Sequence, residues 1–389
     1  MKVRDVLPIP LVLLFACSSS HGGSAQPNDA STSGDGDDGA AADAGGDDAS
    51  DAADGPDAYE QSILSTHWVQ LAKGPVVLGG AKQDDIYFPS PMHGYAVSGP
   101  ASAIYETKDG GGTFQKVYTH AGTYFRSILF VDDMHGFASN LGAGLSPQIT
   151  DTNVLYETKD GGATWNPVTT ITGTMPQGIC NQTKVDAQHL VAVGRVNGPA
   201  FMLTSSDGGA TWASTDLNMQ FSMLIDARFT TPTEGILVGM GASSGTCTIF
   251  HTGDGGKTLD KLFESKTAGS LCWKISFPSD QVGYVSVQDQ TSGPPTFVKT
   301  TDAGKTWTEM KLPKSVGAYP GIGIGFITED IGWVSADDPT LPTMRTADGG
   351  LTWVKDADLK SPINRFRFVD ANTGYAIGGA VWKLSVTGH

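Results

Sequence analysis

Six aspartates form the pattern that most invites a chemical reading. Asp109, Asp160, Asp207, Asp254, Asp302 and Asp348 follow one another at intervals of 46 to 51 residues. They sit in six similar blocks: Thr107 to Phe114, Thr158 to Trp165, Ser205 to Trp212, Thr252 to Leu259, Thr300 or Thr301 to Trp307, and Thr346 to Trp353. An acid repeated in a glycine-rich turn suggests acid–base catalysis, but the residue types fit a structural use better. The carboxylate and the Thr or Ser hydroxyls can hydrogen-bond turn backbone, and the glycines admit positive φ. Trp165, Trp212, Trp307 and Trp353 would then wedge between neighbouring elements and bury large apolar surfaces. Phe114 and Leu259 are weaker wedges at the same position.

Other chemistry is sparse. The eight His include no H-E-x-x-H or comparable ligand spacing, so no metal site or cofactor is expected. His67, His93, His120, His135 and His189 fall mostly at turns and read as solvated. Neither a G-x-S-x-G elbow nor a phosphate-binding loop occurs.

The elements that carry the blocks are strands. A second motif precedes each block: Ile86-Tyr87-Phe88 leads to Gly94-Tyr95-Ala96-Val97, and Ile128-Leu129-Phe130 leads to Gly136-Phe137-Ala138. Later copies run from Ile275 to Val285, from Phe326 to Val334 and from Phe366 to Ile377. Short apolar alternation bounded by Gly, Asp and Pro marks strands and turns. Each unit reads as an inner, a second, a third and an outer strand, and the period matches a propeller blade. The seventh unit ends at Val381-Trp382-Lys383-Leu384 with no block after it, whereas Trp68-Val69-Gln70-Leu71 has the form of a strand that follows one. This N-terminal strand is expected to close the last blade, leaving no unpaired edge. The expected fold is all-β: a seven-bladed β-propeller with four-stranded blades.

The repeated block resembles the Asp-box, S-x-D-x-G-x-T-W, of sialidases, sortilin-type receptors, some glucanases and photosystem II assembly-factor-like propellers. In those families the box lies in the peripheral hairpin between the third and outer strands, away from the axis. The sialidase catalytic set of three Arg, a Tyr–Glu pair and an Asp acid/base finds no match. Beyond the N-terminal segment the chain has only Arg126, Arg195, Arg228, Arg345, Arg365 and Arg367. Glucanases of this type generally pair two propellers across a cleft, and one is expected here. Residues 66 to 386 are most similar to the photosystem II assembly-factor-like propellers, whose partner does not carry over.

Charge divides the chain. The net charge is −16, and residues 18 to 58 hold ten Asp with no Lys, Arg or Glu. An acidic chain argues against nucleic acid. The acidic segment lacks large apolar residues and is expected to stay disordered and extended; its Asp spacing fails the EF-hand pattern. Ahead of it, Lys2 and Arg4 precede an apolar run from Val6 to Phe15, the form of an export signal. Leu14-Phe15-Ala16-Cys17 resembles the lipobox of bacterial lipoproteins, which implies that Cys17 is acylated and anchors the chain in a membrane. The expected organisation is a signal peptide over 1–16, a tether over 17–59 and the propeller over 60–389. The expected location is the cell envelope, at the outer membrane.

Three further cysteines follow in a compartment that permits disulfides. Cys247 at the start of a third strand and Cys272 at the start of the next inner strand would meet on one face, which leaves Cys180 as a buried thiol. Loops at that face present Tyr124, Arg126, Trp273, Tyr319 and Arg365, residue types that anchor interfaces and sugar sites. The longest insertion, Asn140 to Asn153, is the candidate recognition loop. The expected function is a non-catalytic binding or assembly scaffold for a protein partner. A carbohydrate-binding or glycoside-hydrolysing propeller and a mainly structural surface component are the alternatives.

Overall fold

In a computed structural model, residues 57–75, 82–288, 295–313 and 321–387 are described. All belong to one unit, Pro56–His389. The signal segment, Cys17, the acidic segment up to residue 56 and Tyr319 lie outside the described residues.

Alternating apolar residues within short Gly-bounded runs give strands, and the strands assemble into seven sheets arranged as a seven-bladed β-propeller. Blade 1 runs outward from Asp85–Tyr87 through Gly94–Ser98 and Ala103–Thr107 to Gln115–Thr119. The other inner strands, in order, are Phe125–Phe130, Asn181–Lys184, Phe221–Phe229, Leu271–Ser276, Gly321–Phe326 and Ile363–Asp370. Second strands such as Gly94–Ser98 and Gly235–Gly241 are buried along their whole length, because a neighbouring blade covers each face. This explains why they read as continuous small and apolar runs rather than as alternating ones.

The ring closes as expected. Val69–Gln70 pairs antiparallel with Val381–Ser385, Val69 opposite Lys383, so the chain's two ends share the seventh blade. Trp68 takes the wedge position there and meets Trp333 edge-on at 5.3 Å. In the place where an aspartate turn precedes the other tryptophans, this blade has a helix, α1 (Ala58–Ser65). Asp57 caps it, accepting from the Glu60 amide, and Ile63 is its buried apolar contact. One buried residue in eight gives no helical periodicity, so the sequence does not announce it. The expected start of the propeller at residue 60 falls inside this helix.

The third blade departs from four strands. Ile171–Thr172 adds a fifth, parallel to its outer strand Trp212–Asp216. It belongs to the connection from blade 2, which is long enough to lie along the sheet edge before turning inward.

The aspartate turns join the blades. In the first, the Thr107 hydroxyl donates to Asp109 at 2.8 Å, and Thr113 donates to the same carboxylate through its amide and hydroxyl, both at 2.8 Å. The other five repeat these bonds. The two glycines after Asp109 take φ of 65° and 93°, as the tight turn requires. Each turn then docks on the preceding blade. Tyr95 donates to Gly161 O at 2.6 Å and Tyr375 to Gly110 O at 2.9 Å. Their rings stack on the next inner-strand Phe: Tyr95 on Phe130 at 4.1 Å, Tyr375 on Phe88 at 4.0 Å, Tyr284 on Phe326 at 3.5 Å. The tryptophans fill the remaining space, with Trp165, Trp212, Trp307 and Trp353 all buried.

Candidate functional site

The inner strands bring charge to the axis. Register shifts interrupt their pairing at Phe125/Ser127, Leu224/Asp226, Cys272/Ile275, Gly321/Gly323 and Ile363/Arg365. Such bulges twist a strand and re-aim side chains. Around the axis lie Asp84, Asp85, Arg126, Asn181, Asp226, Lys274, Arg365 and Arg367. Arg126 pairs with Asp84 and lies 5.6 Å over the Trp273 ring. Arg367 and Arg365 converge on Asp85 at 3.0 and 3.3 Å. Asp226 accepts from Asn181 and from the amides of Ala227 and Ile275.

Burial and pairing act differently on two adjacent carboxyls. Burial lifts Asp84 above the ordinary carboxyl range even with Arg126 pulling against it. At Asp85 the same burial is outweighed by Arg367 and Arg365, and its carboxyl falls below that range. All three axial carboxylates are thus committed to partners inside the ring. None faces open space as a free acid or base.

Above this network the axial mouth is apolar. Leu141, Met223, Ile225, Met240, Leu271, Trp273 and Ile322 form one buried cluster, with Tyr124, Leu145 and Val196 partly exposed over it. Lys82 bridges to Asp337 at 2.6 Å at the same mouth. Burial, then the charge of Asp84, raises the Tyr124 phenol. The long blade-2 loop lies across this end, and Arg195 from blade 3 staples it. That guanidinium is buried and donates to the carbonyls of Leu141, Gly142, Ala143, Gln177 and Gly198, and to the Gln177 side chain. Asn140 and Asp151 brace the loop from within. Cys247 and Cys272 form a disulfide that joins blades 4 and 5 at this end, while Cys180 is free and buried.

A second concavity opens at the opposite end, beside the aspartate turns. A cavity of about 800 Å³ separates blades 4 and 5, lined by Arg228, Glu234, His251, Asp280 and Lys305 around Phe229 and Leu262. Ile236 stands where Tyr95, Tyr284 and Tyr375 stand in their blades, and the Arg228 guanidinium takes the stacking place on Phe277 at 4.2 Å.

The structure therefore gathers part of the expected site set. Tyr124, Arg126 and Trp273 converge at the axial mouth, and Arg365 lies deeper in the same axis. Arg126, Trp273 and Arg365 are only 5–7% exposed. Three of the four described residues of the set are thus core groups with internal partners. The expectation of solvated turn histidines is corrected at two of them: His93 bonds Glu106 at 2.8 Å, and His135 bonds Glu157 at 2.7 Å. A His one turn before a strand-borne Glu is paired across the hairpin, which spacing along the chain hides. Sequence reasoning missed Asp84, Asp85, Asp226, Lys274 and Arg367, and the cavity. Ile236, aliphatic where Tyr95, Tyr284 and Tyr375 are aromatic, was the available signal for the cavity. Among the described residues no group of three His, Cys, Asp or Glu is arranged to hold a metal ion, and no helix is long and apolar enough to cross a membrane.

No family model matches the chain, and no curated protein does. Solved structures do. YCF48 from Cyanidioschyzon merolae aligns with a TM-score of 0.61 at 15% identity, over 82% of this chain and 99% of that one. A YCF48 bound to a D1 peptide aligns at 0.59 and 18% identity, over 82% and 96%. The GH74 xyloglucanase from Xanthomonas campestris aligns at 0.59 and 14% identity, over 83% of this chain and 54% of the enzyme. At these identities the likeness establishes the propeller fold.

Proposed function

We propose that this chain is a cell-envelope lipoprotein, anchored through Cys17, whose propeller is a non-catalytic scaffold for a protein partner at the axial mouth. The aspartate turns are read as Asp-boxes with a structural role. One observation carries the binding reading: the blade-2 loop is locked by buried Arg195 and presents Leu145 beside Tyr124 and Val196. A stiff, partly apolar rim loses little freedom on binding, which favours affinity for a folded or peptide partner. Commitment of Asp84, Asp85 and Asp226 to internal partners supports a role without acid–base chemistry at the axis. The YCF48 that binds a D1 peptide offers a parallel in a propeller of similar form.

The test uses the full lipidated chain in native envelope, with a photo-crosslinking residue at Gln148 or Met219 on the mouth end and at Met134 on the turn end. A single protein crosslinked from the mouth positions, and lost in Leu145→Asp, is the expected result. Crosslinks from Met134 alone, or recovery of polysaccharide without protein, would overturn it. Cys17→Ser should release the chain from membranes in the same cells.

The carbohydrate reading is favoured by one feature, the cavity between blades 4 and 5 with its polar planar side chains. Calorimetry with soluble envelope polysaccharide decides it. Binding that Ile236→Tyr abolishes would move that reading ahead.

A further inference from the structure

Among the described residues, the axis holds a charge imbalance that no protein group relieves. Four cations, Arg126, Lys274, Arg365 and Arg367, face three carboxylates, Asp84, Asp85 and Asp226. Lys274 is 2% exposed, and its Nζ has no hydrogen-bond partner. The carboxylates within its electrostatic reach are already engaged. Asp226 accepts three hydrogen bonds and lies 3.5 Å from Arg365. Asp85 accepts from Arg367 through both oxygens and from the amides of Ile86 and Ile128. A buried ammonium without a partner costs several kcal/mol, so it must either shed its proton or gain an anion.

The neighbouring groups decide between those outcomes. Trp273 Nε1 is also a buried donor without an acceptor, and Arg365 Nε has only Asp85 Oδ1 at 3.3 Å, outside hydrogen-bond geometry. Loss of the lysine proton would satisfy neither of them, whereas an acceptor-only occupant can serve donors of this kind. A buried acceptor beside Arg365 on the same inner strand, Asn364 Oδ1, lacks a donor as well, which makes an anion accompanied by water a fuller fit than a bare ion. Burial, reinforced by Arg365 and Arg126, pushes the Lys274 ammonium well below its ordinary range. An anion beside it would reverse that push.

We infer that the propeller axis is a binding site for one small monovalent anion, of halide or formate size, anchored by Lys274 with Arg365 beside it. The site is distinct from the proposed partner surface, because it lies within the ring and not on its rim. Its contribution is to complete the charge balance of the inner strands, which ties blades 1, 4, 5 and 7 to a common centre.

The test is the thermal midpoint of the full chain at constant ionic strength, with chloride, bromide or formate exchanged for gluconate. A wild-type midpoint that rises by roughly 3 °C across a hundredfold span of the bound anion is expected, with Lys274→Met folded and unresponsive. The arm with the larger rise identifies halide or carboxylate as the natural occupant. A flat wild-type response in every arm, or equal slopes in both proteins, overturns the inference. Crystals soaked in bromide give an independent readout should Lys274→Met fail to fold. An anomalous peak beside Lys274 Nζ supports the site, and its absence rejects it.

Discussion

Two seams of the ring solve the same packing problem differently. Between blades 1 and 2, Tyr95 stacks on Phe130 at 4.1 Å, reaches the next turn at Gly161 O, and is flanked by His93 bonded to Glu106. Between blades 4 and 5, Ile236 replaces the tyrosine, Arg228 stacks on Phe277, and the His–Glu pair is inverted, with Glu234 before the strand and His251 on it. The first seam is filled; the second leaves a cavity of about 800 Å³. The second seam is also the one that carries the Cys247–Cys272 disulfide, at its opposite end. A seam short of aromatic packing is thus joined covalently. Repeats in a ring need not be equal, provided each interface finds some means of closure.

The largest effect should come from removing a wedge. Trp165→Ala empties a buried site in the filled seam and should cost about 3–5 kcal/mol, read from urea midpoints. Leu259→Ala, at the half-buried equivalent position of blade 4, should cost well under half as much. Equal losses would mean that the wedge is not what distinguishes the blades.

Next in size is the disulfide. Cys247→Ser with Cys272→Ser opens a loop of sequence separation 25 and should lower stability by about 3 kcal/mol. The loss should concentrate at this seam, so hydrogen exchange should accelerate in blades 4 and 5 before blades 1 and 2. Uniform acceleration would show that the ring unfolds without regard to seam.

Smaller changes test the tyrosine itself. Tyr95→Phe forfeits the bonds to Gly161 O and His93 and should cost about 1 kcal/mol. Ile236→Tyr makes the opposite change, filling the cavity and creating a second Tyr–Phe stack. A gain of up to about 1 kcal/mol is expected, provided Arg228 swings aside. If Ile236→Tyr destabilises as much as Tyr95→Phe, the Arg228–Phe277 contact is the better closure at that seam.

The smallest effect is electrostatic. Bonds from threonine and serine hold the Asp207, Asp254 and Asp302 carboxyls at about 2. A carboxyl lowered on folding adds stability above its unfolded value of about 3.9, and that stability disappears as pH falls toward the folded value. The acid limb of stability between pH about 4 and about 2 should therefore flatten stepwise as these residues are changed to Asn. An unchanged limb would place acid sensitivity at the axis, in Asp85.

Much of this architecture is legible along the chain because repeats are local. The spacing of Asp109 through Asp348, the Gly-Tyr strands and the orphan strand at Trp68 specify blade number, strand order and closure. Each depends only on residues a few positions apart and on the need to pair every edge. Even the difference between seams is partly visible, in Ile236 where blades 1, 2, 5, 6 and 7 have an aromatic residue. The axial site is not legible. Asp84, Asp226, Lys274 and Arg365 are each unremarkable in their own strands, and Arg126 and Trp273 read equally well as surface anchors. Their partners come from other blades, and in-strand bulges that no local pattern encodes decide which way they point. Sequence by itself determined the repeat, and hence the ring. The tertiary structure decided which charges meet in its centre, because only closure of the ring brings inner strands from distant parts of the chain within a hydrogen bond of one another.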